Sequence, residues 1–338
     1  MAYTSEQCMT LMDIAKAAGD DGKWSKEFIN IGEKATPEFE HMPHVVCNAV
    51  TEHKTSVFLG GSAGQFKAFY EGIKPTKMQR STITAKTAMM EEESVVDADL
   101  IDLNDNKAAF RASEDEAIID GMVQTYIQNV WYGDKHDDKK FPGFSAYYNY
   151  TSDDKKDIGY NVLSCGGTGN KLTSMYMITW GDTTVHGIIP KVKGYSAGVQ
   201  VRDDTPEKPD RVDDGNGGKY DAYRTVYKLK GGLALRDWRA SGRLCNINLE
   251  EFGTSEDAKN LVDFLIKLTN RLKGKNKGKT FIYCPPEVLT VLEIQQRHFK
   301  NINLTTKDYD GTPVTHFRNY PIFSTDMLMT TEEQVTAG

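Results

Sequence analysis

Paired cysteines are missing from this sequence. Its five cysteines lie far apart in the chain, at Cys8, Cys47, Cys165, Cys245 and Cys284, so no two have the CxxC spacing of a metal or redox site. The N-terminus has no basic start followed by an apolar block, which a secretion signal would show. An odd number of cysteines without such a signal is typical of reduced cytosolic thiols, and we expect them here.

Long apolar runs and metal-binding histidine motifs are also missing. No stretch approaches the roughly 20 apolar residues of a membrane helix, so we predict no membrane partner. The seven histidines are scattered and include no HExxH, which favours ordinary histidines over a metal site. The net charge of −7 argues against a dedicated nucleic-acid binder, although it allows a local basic surface.

One glycine-rich stretch, SCGGTGNKLTS at residues 164–174, has the composition of a phosphate-binding loop. The nucleotide-hydrolase motif needs Gly-Lys-Ser/Thr, whereas here Asn170 separates Gly169 from Lys171 and a leucine follows the lysine. Residues 175–180 are β-prone and predict a strand, although a phosphate loop leads into a helix. We therefore interpret Gly166–Lys171 as a turn before a strand, and a nucleotide hydrolase is the less favoured alternative.

Residues 44–92 are predicted to form an extended arm. The strand-like run HKTSVFL at residues 53–59 leads into the flexible turn GGSAG at 60–64, and a threonine-rich strand follows at 81–87. The arm has few large apolar residues, so a hairpin formed by it cannot bury itself. Because exposed strand edges pair with other chains unless blocked, we predict that the arm contacts another subunit and does not support its own core.

The clearest helix is predicted at residues 113–132. Ser113 and Glu116 have the spacing of a capping box, and apolar residues recur at helical spacing as far as Trp131. Gly133 is expected to end the helix as a C-terminal cap.

The remaining segments predict an α+β fold. Residues 134–160 and 203–219 are predicted as solvated loops, and the acidic second one lacks the EF-hand spacing of a calcium site. Gly231 and Gly232 are expected to join two strands within residues 220–250. Helices are predicted at about 255–273 and, starting at the Pro285–Pro286 pair, as far as Phe299, with a strand at 280–284 between them.

Seven segments occur in an order that resembles one family of proteins. They are EHKT at 52–55, EGIKPTK at 71–77, ADLIDLN at 98–104, AFRASED at 109–115, WYGD at 131–134, TWGDTTVHGIIP at 179–190 and GLALRDWR at 232–239. Together they resemble the major capsid proteins of tailed phages, specifically the group like that of podophage epsilon fifteen. The resemblance runs from about residue 44 to 330 and implies the Hong Kong ninety-seven type capsid fold.

The resemblance also implies how the chain is divided. The expected parts are an N-terminal arm at 1–43, an E-loop at 44–92, a peripheral domain at 93–249 with the spine helix 113–132 and an inserted surface loop at 203–219, an axial domain at 250–312, and a return strand to the peripheral domain with a tail at 313–338. The N-terminal arm is short and lacks the acidic helical extension of a fused scaffold, so a separate scaffold protein is expected.

By the same resemblance, the protein is expected to assemble into the icosahedral shell that encloses double-stranded phage DNA. It would be a component of the virion, assembled in the host cytoplasm, with neither enzyme activity nor cofactor. The expected partners are copies of itself in hexamers and pentamers, scaffold, portal and decoration proteins, and packaged DNA contacted without sequence specificity.

Two groups of residues are expected to make contacts between molecules. The E-loop group contains Phe58, Gly60, Gly61, Gly64, Phe66, Phe69 and Tyr70. The second group is a mobile basic loop that would contact DNA or a neighbour's acidic surface, or would simply be a solvated turn: Arg271, Lys273, Lys275, Lys277 and Lys279. An encapsulin-like shell around protein cargo has the same fold and remains an alternative, which the contents of purified shells would test.

Overall fold

The computed structural model describes residues 36–58, 64–77, 80–102, 107–192, 197–205, 208–213, 217–252, 260–299, 304–309 and 311–338. Residues 1–35 of the predicted N-terminal arm lie outside them. The described helices are α1 (Pro37–His41), α2 (Ala98–Asp102), α3 (Lys107–Tyr132), α4 (Phe144–Tyr147), α5 (Leu261–Arg271) and α6 (Pro286–Phe299). None of these helices is long and apolar enough to cross a membrane.

Fifteen strands are described. They are β1 (His44–Val46), β2 (Glu52–Phe58), β3 (Arg80–Lys86), β4 (Ala88–Asp97), β5 (Val162–Ser164), β6 (Leu172–Trp180), β7 (Val185–Ile189), β8 (Val199–Asp203), β9 (Asp210–Asp213), β10 (Lys219–Leu235), β11 (Gly242–Asn248), β12 (Lys279–Cys284), β13 (Leu304–Tyr309), β14 (Thr312–Phe317) and β15 (Tyr320–Ser324). Long helices and many strands together agree with the predicted α+β class.

The described chain divides into two compact units. The first contains residues 89–127 and 197–230, and the second contains residues 37–88, 128–196 and 231–338. These units do not follow the domain limits implied by the resemblance, which stay a prediction.

The sheet of the second unit is built around β6. This strand pairs antiparallel with β11 on one side and with β12 on the other. Strand β15 lies parallel to β12, and β14 and β13 continue the sheet as an antiparallel pair. On the other side, β5 lies parallel to β11.

Both faces of β6 are buried, and alternate side chains contact different cores. Met175 and Met177 belong to an apolar core that includes the inner faces of α5 and α6. Tyr176 points to the opposite face, where its ring centroid lies 4.8 Å from that of Trp131. A large apolar side chain contributes about 1.5–3 kcal/mol when it is fully buried, so the two cores make β6 the centre of this unit.

Charged side chains of neighbouring strands pair within the first unit. Nε of Arg224 on β10 lies 2.6 Å from Oε1 of Glu93 on β4, and Nζ of Lys228 lies 2.7 Å from Oε1 of Glu91. The hydroxyl group of Tyr227 donates a hydrogen bond to Asp115 on α3. Residues Lys219–Leu229 of β10 also pair with β8 and β9.

The helices confirm some local signals and correct others. Helix α6 begins at Pro286 and ends at Phe299, as predicted. Helix α5 begins at Leu261, later than predicted, where the side chain of Asn260 accepts a hydrogen bond from the amide of Val262. The predicted capping box at Ser113 is wrong, because α3 already begins at Lys107 and Ser113 lies inside it.

One glycine prediction was wrong, and another was confirmed. Strand β10 runs straight through Gly231 and Gly232 without a turn. A Cβ atom on Gly232 would lie 2.4 Å from the carbonyl oxygen of Lys86, so this glycine permits a close approach of two backbones. Gly133 directly follows the last residue of α3, and its amide donates to the carbonyl oxygen of Asn129 at 2.8 Å, so the predicted C-terminal cap is confirmed. Its φ is not positive, and a Cβ atom there would lie 2.2 Å from the carbonyl oxygen of Phe141, so this glycine also permits a close approach.

Two segments predicted as solvated loops contain ordered structure. Asp210–Asp213 of the acidic segment form β9, which pairs with β10, although its side chains are mostly exposed. The segment at 134–160 contains the buried aromatic residues Phe141, Phe144 and Tyr148. Their burial depends on the surrounding strands. The many charged residues near them in sequence made the segment resemble a solvated loop.

Candidate assembly interface

Strands β2 and β3 form a separate two-stranded sheet, which we call the ribbon. The antiparallel pairing runs from Glu52 opposite Lys86 to Phe58 opposite Arg80. The described residues between these strands, 64–77, contain no strand or helix, and every one is exposed. We call residues 64–77 the tip segment. A two-stranded sheet alone is marginally stable in water, so the ribbon depends on contacts elsewhere.

The base of the ribbon makes such contacts within its own subunit. Thr55 and Ala85 are buried, and Ala85 packs in a small apolar cluster with Cys47, Ile188 and Ala234. The prediction that the arm does not support its own core is therefore wrong for the base, where alternate side chains of the ribbon face the sheet.

The tip segment carries three aromatic side chains with no packing inside the described chain. Phe66, Phe69 and Tyr70 have exposed fractions of 107%, 96% and 107%, and Ile73 is 59% exposed. Single exposed apolar residues are common, but a group of aromatic residues on one exposed segment is typical of a protein-binding surface.

A hydrogen-bonded turn gives these aromatic residues a defined backbone. The amide of Glu71 donates to the carbonyl oxygen of Ala68 at 3.3 Å, and the amide of Ala68 donates to Oε2 of Glu71 at 2.9 Å. Tyr70 lies within this turn with a φ of 68°. A non-glycine residue pays about 1–2 kcal/mol for this left-handed conformation, yet the Tyr70 ring is fully exposed and gains no packing contact within the described chain.

The structure describes only some of the predicted E-loop residues. Gly60 and Gly61 lie outside the described residues, and only the backbone of Phe58, at the end of β2, is described. A Cβ atom on Gly64 would meet nothing within 4 Å. Among the predicted aromatic residues of the E-loop, Phe66, Phe69 and Tyr70 have described side chains, and all three are exposed.

The predicted basic loop is partly held by its own subunit. Nη1 of Arg271 donates to the carbonyl oxygen of Tyr160 at 2.7 Å, and Nζ of Lys275 donates to that of Thr269 at 3.1 Å. Lys273 and Lys279 are exposed. The Arg271 guanidinium also lies 4.5 Å from the centroid of the Tyr160 ring. Among the described residues neither Arg271 nor Lys275 pairs with a carboxylate, so both add positive charge to this segment.

Lys277 belongs to a different arrangement centred on Asp237. Nζ of Lys277 lies 2.8 Å from Oδ2 of Asp237, and Nε of Arg239 lies 2.8 Å from Oδ1. Burial opposes ionisation of Asp237, but the hydrogen bonds from Arg239 and Lys277 outweigh it and lower the pKa to about 2. Lys277 is therefore the least available member of the basic group.

The glycine-rich loop leads into β6, which confirms the predicted turn before a strand. Nζ of Lys171 lies 2.9 Å from Oε1 of Glu250, and both side chains are exposed. A Cβ atom on Gly167 would lie 2.6 Å from the carbonyl oxygen of Asn246, so this glycine permits close packing against β11.

The sequence reasoning missed a buried ion pair that binds the C-terminal tail. Nη2 of Arg243 on β11 lies 2.9 Å from Oε2 of Glu332, and both side chains are 5% exposed. Nε of Arg243 donates to Oγ of Ser174 at 3.0 Å, and the Tyr132 hydroxyl donates to Oε1 of Glu332 at 2.5 Å. The one available signal was an arginine within the otherwise uncharged strand GRLCNIN.

Known proteins are similar to this chain in both fold and sequence. The family described as major capsid protein GP7 matches residues 19–336. A solved structure of bacteriophage Epsilon15 is 24% identical, with a TM-score of 0.76 and complete coverage of both chains. The bacteriophage JBD30 capsid is 10% identical, with a TM-score of 0.52, and the match covers 94% of this chain and 99% of that one. No curated protein matches the chain.

These likenesses define the class of protein. The α+β fold is that of the Hong Kong ninety-seven type capsid proteins. The chain belongs to the major capsid protein GP7 family. It is thus a non-enzymatic structural protein of a phage virion, which assembles with copies of itself into an icosahedral shell.

Proposed function

We propose that the ribbon and its tip segment bind a neighbouring subunit in the hexamers and pentamers of the head shell. The proposal depends on the complete exposure of Phe66, Phe69 and Tyr70 in a capsid protein whose ribbon base is anchored in its own subunit. Interfaces concentrate their binding energy in a few aromatic anchors, and an exposed turn that carries three of them has the composition of such an anchor group.

The substitutions Phe69→Ala and Tyr70→Gly test this interface. Glycine keeps the left-handed turn at position 70 without strain and removes only the ring. We expect both variants to fold and melt like the wild-type subunit, while each weakens assembly by about 2 kcal/mol or more per contact. Circular dichroism of unassembled subunits would measure folding, and electron microscopy with light scattering would measure shell formation.

A matched control is Val201→Ala on β8, since Val201 is 47% exposed but lies outside the tip segment. This variant should assemble normally. Normal assembly of Phe69→Ala together with Tyr70→Gly, or loss of subunit folding in both, would contradict the proposed interface.

The remaining partners are proposed from the role of a capsid protein. We infer that a separate scaffold protein directs assembly in the host cytoplasm, and that portal and decoration proteins join the shell. The exposed lysines Lys273 and Lys279 are suited to contact packaged double-stranded DNA without sequence specificity, because phosphate contacts need only positive charge.

A further inference from the structure

Two histidines meet at the base of the ribbon, and buried ring nitrogens of both lack hydrogen-bond partners in the described chain. His53 on β2 and His186 on β7 lie with their ring centroids 5.6 Å apart, with an interplanar angle of 89°. His186 is completely buried. Within the described chain, neither of its ring nitrogens has a partner at normal hydrogen-bond distance and angle, and neither does the buried Nδ1 of His53. A buried polar group without a partner is rare in folded proteins and needs an explanation.

The pair occupies the place where the ribbon is fastened to the sheet. His53 lies opposite Ala85 in the ribbon, and Ala85 packs against Ile188 and Ala234 of the sheet. His186 pairs with Ala234 on β10. The ring contact between His53 and His186 is therefore part of the same attachment as the small apolar cluster.

The charges around the pair oppose protonation. Arg236, whose Nη1 donates to the carbonyl oxygen of Asp182 at 2.5 Å, adds positive charge beside both rings. Burial, His53 and Arg236 lower the pKa of His186 to about 4, against weaker effects of the Gly181 backbone and the Asp182 carboxylate. Burial, followed by Arg236, also lowers the pKa of His53.

The other charged groups on the ribbon strands do not compensate a new positive charge at the pair. Glu52 and Lys54, which flank His53 on β2, pair with each other at 3.3 Å. Lys86, on β3, is exposed and carries the same sign as a protonated histidine.

We propose that His53 and His186 form an acid-released latch that holds the base of the ribbon on the sheet at neutral pH and frees it when either ring is protonated. The consequence for assembly rests on the interface proposed above, because the latch would set the direction in which the tip segment is presented. The latch itself is a property of the single subunit.

Proton linkage gives the size of the change in ribbon attachment between neutral and acidic pH. A histidine whose pKa is lowered on docking contributes stability above its ordinary pKa of about 6.5, and that contribution is lost as the pH falls towards the docked value. With a docked pKa of about 4 for His186, lowering the pH from 8 to 5 favours the released base about 30-fold.

Hydrogen exchange of unassembled full-length subunits at pH 8 and pH 5 tests the latch. The protection factors of amides in residues 44–58 and 80–87 should fall about 30-fold more than those of α5. The substitution His186→Leu should abolish this extra fall, and His53→Gln should reduce it. His136→Gln is the control. Because His136 is exposed, this substitution should leave the fall in protection factors unchanged.

Equal protection at both pH values in the wild-type subunit would overturn the latch, as would the same fall in His186→Leu. If His186→Leu does not fold, the test depends on His53→Gln. A fall in protection factors as large as that of the wild type in this variant would also overturn the proposal. This measurement does not depend on shell formation. Normal assembly of the tip variants would therefore contradict the proposed interface without contradicting the latch.

Discussion

At the scale of single residues, two buried carboxylates respond to pH in opposite directions. Oε1 of Glu38 on α1 accepts a hydrogen bond from Nε1 of Trp131 at 3.2 Å. Burial raises the pKa of Glu38 to about 7, although hydrogen bonds from Thr325 and Trp131 act to lower it. The pKa of Asp237, by contrast, is held at about 2, so its stabilising contribution is lost only as the pH falls below 3.8 towards that value.

The substitution Glu38→Gln should change how subunit stability depends on pH. Because the pKa of Glu38 is raised, its contribution is complete below pH 4.5 and is lost as the pH rises through about 7. The wild type should therefore lose about 3 kcal/mol from this group between acid and alkaline conditions, and the variant should not. Urea unfolding at pH 5 and pH 8 measures the difference, and parallel behaviour of the two proteins would refute it.

The substitution Glu332→Ala should be strongly destabilising. It leaves the Arg243 guanidinium buried without its carboxylate, which costs about 3–5 kcal/mol. The exposed neighbour Glu333 offers a matched control, and Glu333→Ala should change the free energy of unfolding by less than about 0.5 kcal/mol. Denaturant unfolding decides the matter, and similar stability of the two variants would exclude a structural role for the buried pair.

At the scale of helices and strands, the sequence predicted correctly those whose first or last residue is set by residues close to it in the chain. Helix α6 begins where the proline pair places it, and β6 follows the glycine-rich turn. The start of α3 was missed because the segment KAAFRA, which precedes Ser113, consists mostly of good helix formers and continues the helix towards the N-terminus. The continuation of β10 through Gly232 was missed because the reason for this glycine, its close approach to the backbone of Lys86, lies on another strand.

The substitution Gly232→Ala should disturb the attachment of the ribbon. Its Cβ atom would lie 2.4 Å from the Lys86 carbonyl oxygen, so one backbone has to move, and such overpacking costs about 1–3 kcal/mol. Gly72→Ala in the tip segment is the matched control, since its Cβ atom would meet nothing within 4 Å. Thermal melting compares the two, and an unchanged melting temperature for Gly232→Ala would show that the approach is not close in solution.

At the scale of the whole molecule, the exposed tip segment and the basic surface are the two features through which we propose contacts with other molecules. Charged interactions on such surfaces are weakened by salt, whereas aromatic anchors respond little to it. Salt dependence therefore separates the proposed contact with DNA from the proposed contact between subunits.

The double substitution Lys273→Gln with Lys279→Gln should reduce retention of DNA by filled shells most strongly at low salt, and the difference from the wild type should shrink as salt increases. Each lost phosphate contact lowers the salt dependence of binding. Lys171→Gln is the control, because the ammonium group of Lys171 already pairs with Glu250. Nuclease protection measured over a range of salt concentrations tests this, and identical curves for the double variant and the wild type would leave the basic segment as a solvated turn.

The sequence by itself determined the family, through ordered motifs spread over most of the chain, and it determined elements such as α6 that depend on residues close together. It also indicated an extended arm with aromatic residues. Only the tertiary structure decided what each segment packs against: the anchored base of the ribbon, the backbone approach at Gly232, and the burial of Arg243 with Glu332, 89 residues further along the chain. Such contacts depend on pairing between distant segments, which composition and periodicity within one segment do not specify.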